Sequence, residues 1–314
     1  MILKNWEYDC DDLNLLKYFR ISSNAVYWCK NQGTTFFLRF SPAEEKTKEG
    51  ILAELEFLSY LRNNGYPAVE TIPSKSGKEL EVVNTPWGTF YAVAFKSAPG
   101  KQVTKLPLTK DIIFGLGSAL GKLHKLSSTF NPIGDKRRDW KEIMDWIENV
   151  LLTYPEETLA KGELSMIRCY FSKLSATKEN FGLIHFDFEV DNVFYNEATK
   201  TYTPIDFDDL MYHWYALDIV QSLDSIEEYL PEKELDASIN HFIQGYRSEY
   251  AISDEMIKLF PIFKRYSDLY GYVRFLHTTE EKWDNEPDWM IDLRIKLKGL
   301  LDKRRNVFTM PIDL

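Results

Sequence analysis

With 314 residues, 44% of them hydrophobic and 27% charged, the chain can build one large domain or two modest ones around a sizeable core. A formal net charge of −10 argues against a nucleic-acid partner, because phosphate backbones call for a concentrated basic surface. No apolar run reaches the ~20 residues that span a bilayer, so no membrane partner is expected. The opening MILKNWEYDCDD carries acids where a secretory signal carries an apolar core, and Cys10, Cys29 and Cys169 are odd in number and widely spaced. Both features predict a reducing, cytoplasmic setting.

In chain order, residues 25–30 and 34–40 are β-rich runs joined by Asn31-Gln32-Gly33, a good hairpin turn. Ser41-Pro42-Ala43-Glu44 reads as a capping-box start of a helix. Ile51, Leu55, Leu58 and Leu61 then follow helical spacing to a stop at Asn64-Gly65. Strands near 79–84 and 89–95 flank Thr85-Pro86-Trp87-Gly88, and residues 96–100 look like a connector between lobes. Helical spacing marks 108–127, 138–152, 156–179, 216–229, 233–250, 254–277 and 288–304. One island, 181–209, breaks the helical run and reads as short strand, loop, short strand, turn, short strand. The expected domains are a β-rich small lobe, 1–97, and a helical lobe, 98–314.

The island holds Asp187 and Asn192 in Asp-x4-Asn spacing, followed by Asp206 after the run Tyr202-Thr203-Pro204-Ile205. Phosphoryl transfer needs few protein groups: one to orient or accept a hydroxyl proton, and oxygen ligands for magnesium. Asp187 on a loop after a strand can meet the hydroxyl, while Asn192 and Asp206 can share the metal. The alternative is that these acids merely cap turns.

His185-Phe186-Asp187-x4-Asn192 and Ile205-Asp206-Phe207-Asp208-Asp209 together resemble the paired signatures of the aminoglycoside phosphotransferase and choline kinase-like superfamily. Leu120-Gly121-Lys122-Leu123-His124 and Asp218-Ile219-Val220 extend the likeness, which covers roughly residues 20 to 275. The resemblance implies an α+β, protein-kinase-like fold and an ATP- and magnesium-dependent kinase acting on a small-molecule alcohol. It makes Asp187 the catalytic base, Asn192 and Asp206 metal ligands and Asp208 a second metal-side acid. His185 would brace the catalytic loop, and Asp218 would hold loop backbone.

The same fold places a basic residue on the third strand, paired with a helical glutamate, beside the nucleotide phosphates. Arg39 and Glu54 match those places, with Arg standing where protein kinases carry Lys; an ordinary strand-to-helix salt bridge is the alternative. Ser22-Ser23-Asn24 is the candidate phosphate-covering loop and lacks the Gly-x-Gly-x-x-Gly pattern.

Between His185 and Asp236 the chain carries fourteen Asp or Glu against two Lys. Acids also meet aromatics at Asp209, Trp214, Glu280, Glu281, Trp283 and Asp284, a combination that suits an amine through charge and cation–π attraction. The expected acceptor is therefore a cationic alcohol, although packing at helical spacing explains each aromatic taken singly. Two other classes remain open. A protein Ser/Thr kinase would need an activation segment after Asp206, and no Ala-Pro-Glu landmark follows. A non-enzymatic kinase-like binding protein would not need Asp187, Asn192 and Asp206 together.

Overall fold

The computed structural model describes residues 1–9, 20–21, 24–278 and 288–312. Its first part is an antiparallel sheet of β1 (Arg20–Ile21), β2 (Ala25–Asn31), β3 (Thr34–Pro42), β4 (Thr71–Ile72), β5 (Leu80–Thr85) and β6 (Gly88–Lys96). The order is β1-β2-β3-β6, with β4 and β5 both on the far edge of β6. The β2–β3 hairpin turns at Gln32 and Gly33, whose φ of 48° and 75° give the left-handed pair that matches strand twist. Trp6, Cys29, Phe36, Leu38, Ala92 and Ala94 form this sheet's own small core.

Helix α1 (Lys48–Asn63) does not begin where Ser41-Pro42 suggested. Strand β3 continues to Pro42, paired with Phe90, and the helix is capped by Thr47, whose hydroxyl accepts from Gly50 N at 3.1 Å. β2 ends opposite Phe40, so Pro42 sits where β3 has a neighbour on one side only and its missing N–H is tolerated. Ile51, Leu55, Leu58 and Leu61 are buried as a helical stripe, and the helix stops at Asn64 before Gly65, φ 76°.

Past β7 (Lys101–Gln102) helices dominate: α2 (Lys110–Ser127), α3 (Trp140–Leu152), α4 (Thr158–Lys173), α5 (Tyr215–Glu227), α6 (Leu235–Arg247), α7 (Asp254–Ile257), α8 (Phe260–Thr278) and α9 (Asp288–Val307). The single helix expected over 254–277 is two, because Pro261 lacks an N–H and is tolerated only in a first turn, here that of α8. α2 crosses α6 with its backbone almost touching. A Cβ on Gly117 would lie 2.0 Å from Phe242 O, and one on Gly245 would lie 1.9 Å from Phe114 O, so only glycine permits this approach. The crossing delivers His124, near the end of α2, against Tyr246 of α6.

The island 181–209 forms β8 (Phe181–Ile184), β9 (Val193–Asn196) and β10 (Thr201–Pro204). A fourth strand, β11 (Met211–Trp214), was not expected and decides the geometry. β8 pairs with β11 and β9 with β10, all antiparallel, so loops 185–192 and 205–210 are clamped side by side between two short ladders. Among the described residues no helix is long and apolar enough to cross a membrane.

Candidate active site

The first loop is held from behind. Asp218, in the first turn of α5, accepts His185 N at 2.8 Å and Phe186 N at 2.7 Å, and also faces His124 Nε2 at 3.0 Å. These bonds fix Phe186 at φ 64°, a conformation that a non-glycine residue holds only when its surroundings dictate it. Tyr270 of α8 lies edge-on beneath the Phe186 ring, centroids 4.8 Å apart. His185 bridges the two loops: its Nε2–H donates to Ile205 O at 3.1 Å, and its Nδ1 accepts Asp187 N at 3.2 Å. One donor and one acceptor require a neutral ring, and burial indeed pushes the His185 imidazole down to about 4.

At the tip, Asn192 Nδ2 donates to Asp187 Oδ2 at 2.6 Å and to Asp187 O at 3.2 Å. Among the described residues Asn192 Oδ1 is thereby left for another partner. Burial pushes the Asp187 carboxyl up to about 8, with Glu189, Asp206, Asp209 and Asp191 adding like-charge repulsion. Asp206, at φ 63°, is raised to about 6 by burial, with Arg39 opposing. Its side chain is still 45% exposed, so water reaches it at the cleft floor.

From the sheet side, Arg39 grips Glu54 with a two-pronged bond, Nη1 to Oε1 at 2.9 Å and Nη2 to Oε2 at 2.6 Å. Both are buried, and Arg39 Nη1 lies 3.9 Å from Asp206 and from Asp208. Three carboxylates keep this guanidinium charged against its desolvation. A cavity of about 320 Å³ opens between the lobes, lined on the polar side by Asn24, Arg39, Glu54, Asn192 and Asp206. Val26, Leu58, Val69, Phe95, Phe194 and Ile205 give it apolar walls, and the connector Lys96–Ala98 forms its edge.

Several expected site residues have other partners. Asp208 is engaged by Lys46 Nζ at 2.5 Å and Asn24 Nδ2 at 2.8 Å; burial would raise its carboxyl, but Arg39 and Lys46 hold it well below the usual range. It ties the sheet lobe to this loop and is not among the residues that line the cavity. Asn24 also accepts from Ser41 Oγ, which fixes its side chain at the cavity edge. Asp209 pairs with Arg274 at 2.9 Å and lies 3.7 Å from Lys46. Trp214 is a correction: as part of β11 its ring is 1% exposed, packed on Trp140, Phe171 and Phe181, with Nε1 donating to Ser175 O at 3.1 Å. It is a core residue, turned away from any acceptor. Ser22, Ser23, Glu280, Glu281, Trp283 and Asp284 lie outside the described residues.

Sequence reasoning missed Lys46, Arg137, Tyr270 and Arg274. Only the i, i+4 spacing of Tyr270 and Arg274 on α8 hinted at a shared face, since each partner lies far away in the chain. Among the described residues no three His, Cys, Asp or Glu side chains could hold a metal by themselves. A magnesium held by one amide and one carboxylate, with phosphate oxygens completing its shell, would need no such cluster. The free Asn192 Oδ1 and the water-accessible Asp206 fit such a role.

Comparison with known proteins agrees with this architecture. The chain is 24% identical to amicoumacin kinase of Bacillus subtilis (strain 168) over 266 residues, 80% of this chain and 76% of that one. The fold matches amicoumacin kinase hAmiN in complex with AMP-PNP, Ca2+ and Ami, with a TM-score of 0.83, 21% identity and coverage of 99% and 92% of the two chains. It also matches a microcompartment-associated aminopropanol kinase, TM-score 0.72, 20% identity, covering 98% and 94%. The model of the phosphotransferase enzyme family matches residues 19–253. The chain belongs to the phosphotransferase enzyme family and has its protein-kinase-like fold.

Proposed function

We propose that the protein is a small-molecule kinase that uses ATP and Mg2+ to phosphorylate a hydroxyl on an acceptor bearing a positive nitrogen. The observation that carries this reading is the pair Asn192 and Asp206 at the wall of the interlobe cavity, with Arg39 beside them and Asp187 hydrogen-bonded to Asn192. Bound magnesium would neutralise phosphate charge, held by Asn192 Oδ1 and Asp206. Arg39, oriented by Glu54, presents its remaining donor edge to the phosphates. Asp187 accepts a hydrogen bond from the acceptor hydroxyl through the oxygen that Asn192 leaves free, and takes its proton as transfer proceeds. A carboxyl raised by burial and like charge is a stronger base than a free aspartate, which suits this step. The structural relative acting on aminopropanol has, by its name, an amino alcohol as acceptor.

Two features favour a small acceptor with positive charge. The chain passes from Asp206 to β11 within five residues and enters α5 at Tyr215, leaving no activation segment of the kind a protein kinase uses. Among the described residues no cation bonds Asp187 directly; four carboxylates repel it and Arg274 attracts it only from a distance, so a cationic ligand nearby would relieve the remaining repulsion. The test is ADP release with Mg-ATP over a panel of amino alcohols, aminoglycosides, neutral polyols and Ser/Thr peptides. Amine-bearing alcohols should turn over, with KM rising as salt rises. Turnover of neutral polyols alone, indifferent to salt, would reject the cationic acceptor.

A further inference from the structure

Arg137 lies in the connection between α2 and α3. Its Nε donates to Leu210 O at 2.7 Å, its Nη2 to Asp208 O, and its Nη1 to Gly50 O at 2.9 Å. Two of these carbonyls belong to the turn that follows Asp206; the third belongs to the first turn of α1, four residues before Glu54. Among the described residues Arg137 makes no ion pair, so a mostly buried guanidinium is used wholly on neutral carbonyls. Burial lowers its pKa, with Glu54, Asp208 and Asp209 opposing from a distance. Holding a cation there is costly unless the arrangement serves something.

The surroundings indicate what. α1 is tethered to the helical lobe at further points: Glu56 accepts Ile133 N at 2.6 Å and Gly134 N at 3.2 Å, and Tyr60 donates to Leu126 O at 3.1 Å. Its buried face shares one core with α2, α5 and α6. Glu54 therefore rides with the helical lobe, and Arg137 joins its helical turn to the turn that carries Asp206. We propose that Arg137 is a positioning residue that fixes the metal-side loop relative to the Glu54–Arg39 pair. This rests on the phosphotransferase reading above and adds to it the group that sets Asp206 in register.

The test measures AMP-PNP affinity by calorimetry across a Mg2+ titration, without any acceptor. Arg137→Ala should lose about 10–100-fold in the magnesium-dependent part of nucleotide affinity, as for other groups that orient a metal ligand. Arg137→Lys, a point charge in place of a three-donor fork, should recover part of that loss and keeps the test open if the Ala variant folds poorly. Glu56→Ala, which loosens α1 without touching the metal-side turn, should lower the melting temperature yet keep the wild-type magnesium dependence. Wild-type magnesium dependence in both Arg137 variants, or an equal loss in Glu56→Ala, would overturn the proposal alone. A wild-type protein whose nucleotide binding ignores magnesium would overturn the kinase reading as well.

Discussion

The Arg39–Glu54 pair allows an asymmetric perturbation. Glu54 is 1% exposed, and among the described residues Arg39 is the only cation within bonding distance of it, through both oxygens. Arg39→Ala therefore leaves a buried carboxylate stranded, a change that costs about 3–5 kcal/mol. Glu54→Ala removes the two short bonds, yet Arg39 keeps Asp206 and Asp208, each at 3.9 Å. Its cost should be about 1.5–3 kcal/mol, the range for hydrogen bonds to charged groups. With an unfolding entropy of ~2.1 cal/mol/K per residue, the melting temperature should fall by about 5–8 °C for Arg39→Ala and about 2–5 °C for Glu54→Ala. Arg39→Met with Glu54→Leu should restore most of the stability, because apolar residues of similar volume can replace a buried pair, while transfer stays lost for want of a cation at the phosphates. Calorimetry of the ligand-free proteins checks the order. Greater destabilisation by Glu54→Ala than by Arg39→Ala would refute the argument that Arg39 has carboxylates in reserve.

Asp187→Asn should reduce transfer by about 10²–10⁴-fold in single-turnover assays while magnesium-dependent nucleotide binding persists, and wild-type turnover would remove Asp187 from its role. Asp206→Ala should abolish the magnesium-dependent part of nucleotide affinity. Asp208→Ala should instead free Lys46 and Asn24 and raise the KM for ATP with its magnesium dependence intact; identical effects would mean that both acids hold metal. His213, 0% exposed, makes no hydrogen bond of good geometry through either ring nitrogen among the described residues, and burial pushes it down to about 3. An unfolded histidine takes its proton near pH ~6.5, so this contribution to stability is complete above that pH and is lost as pH falls, by about 1.4 kcal/mol per unit. His213→Leu should therefore gain about 2 kcal/mol relative to wild type between pH 7.5 and 5 in denaturant titrations, and parallel pH slopes would contradict this.

What the sequence determined was local. Hairpin β2–β3 was readable because Gln32-Gly33 must adopt positive φ, and α1 because four apolar residues repeat at helical spacing. Asp187 and Asn192, five residues apart, stood out because one loop can bring them together, and Arg39 and Glu54 because adjacent elements carry them. Pairing across the chain was not legible. Met211–Trp214 has no alternation that marks a strand; it is one because β8, nearly thirty residues earlier, offers it a ladder. That pairing turned Trp214 from a candidate acceptor contact into a core residue. Likewise nothing in the sequence around Asp208 announced Lys46 and Asn24, 162 and 184 positions away, which hold it. Residue type and spacing state which chemistry a segment can perform. Only the tertiary structure decides which of several similar carboxylates stays open to the cavity, because a carboxylate's role is set by the cations and N–H groups that distant segments bring to it.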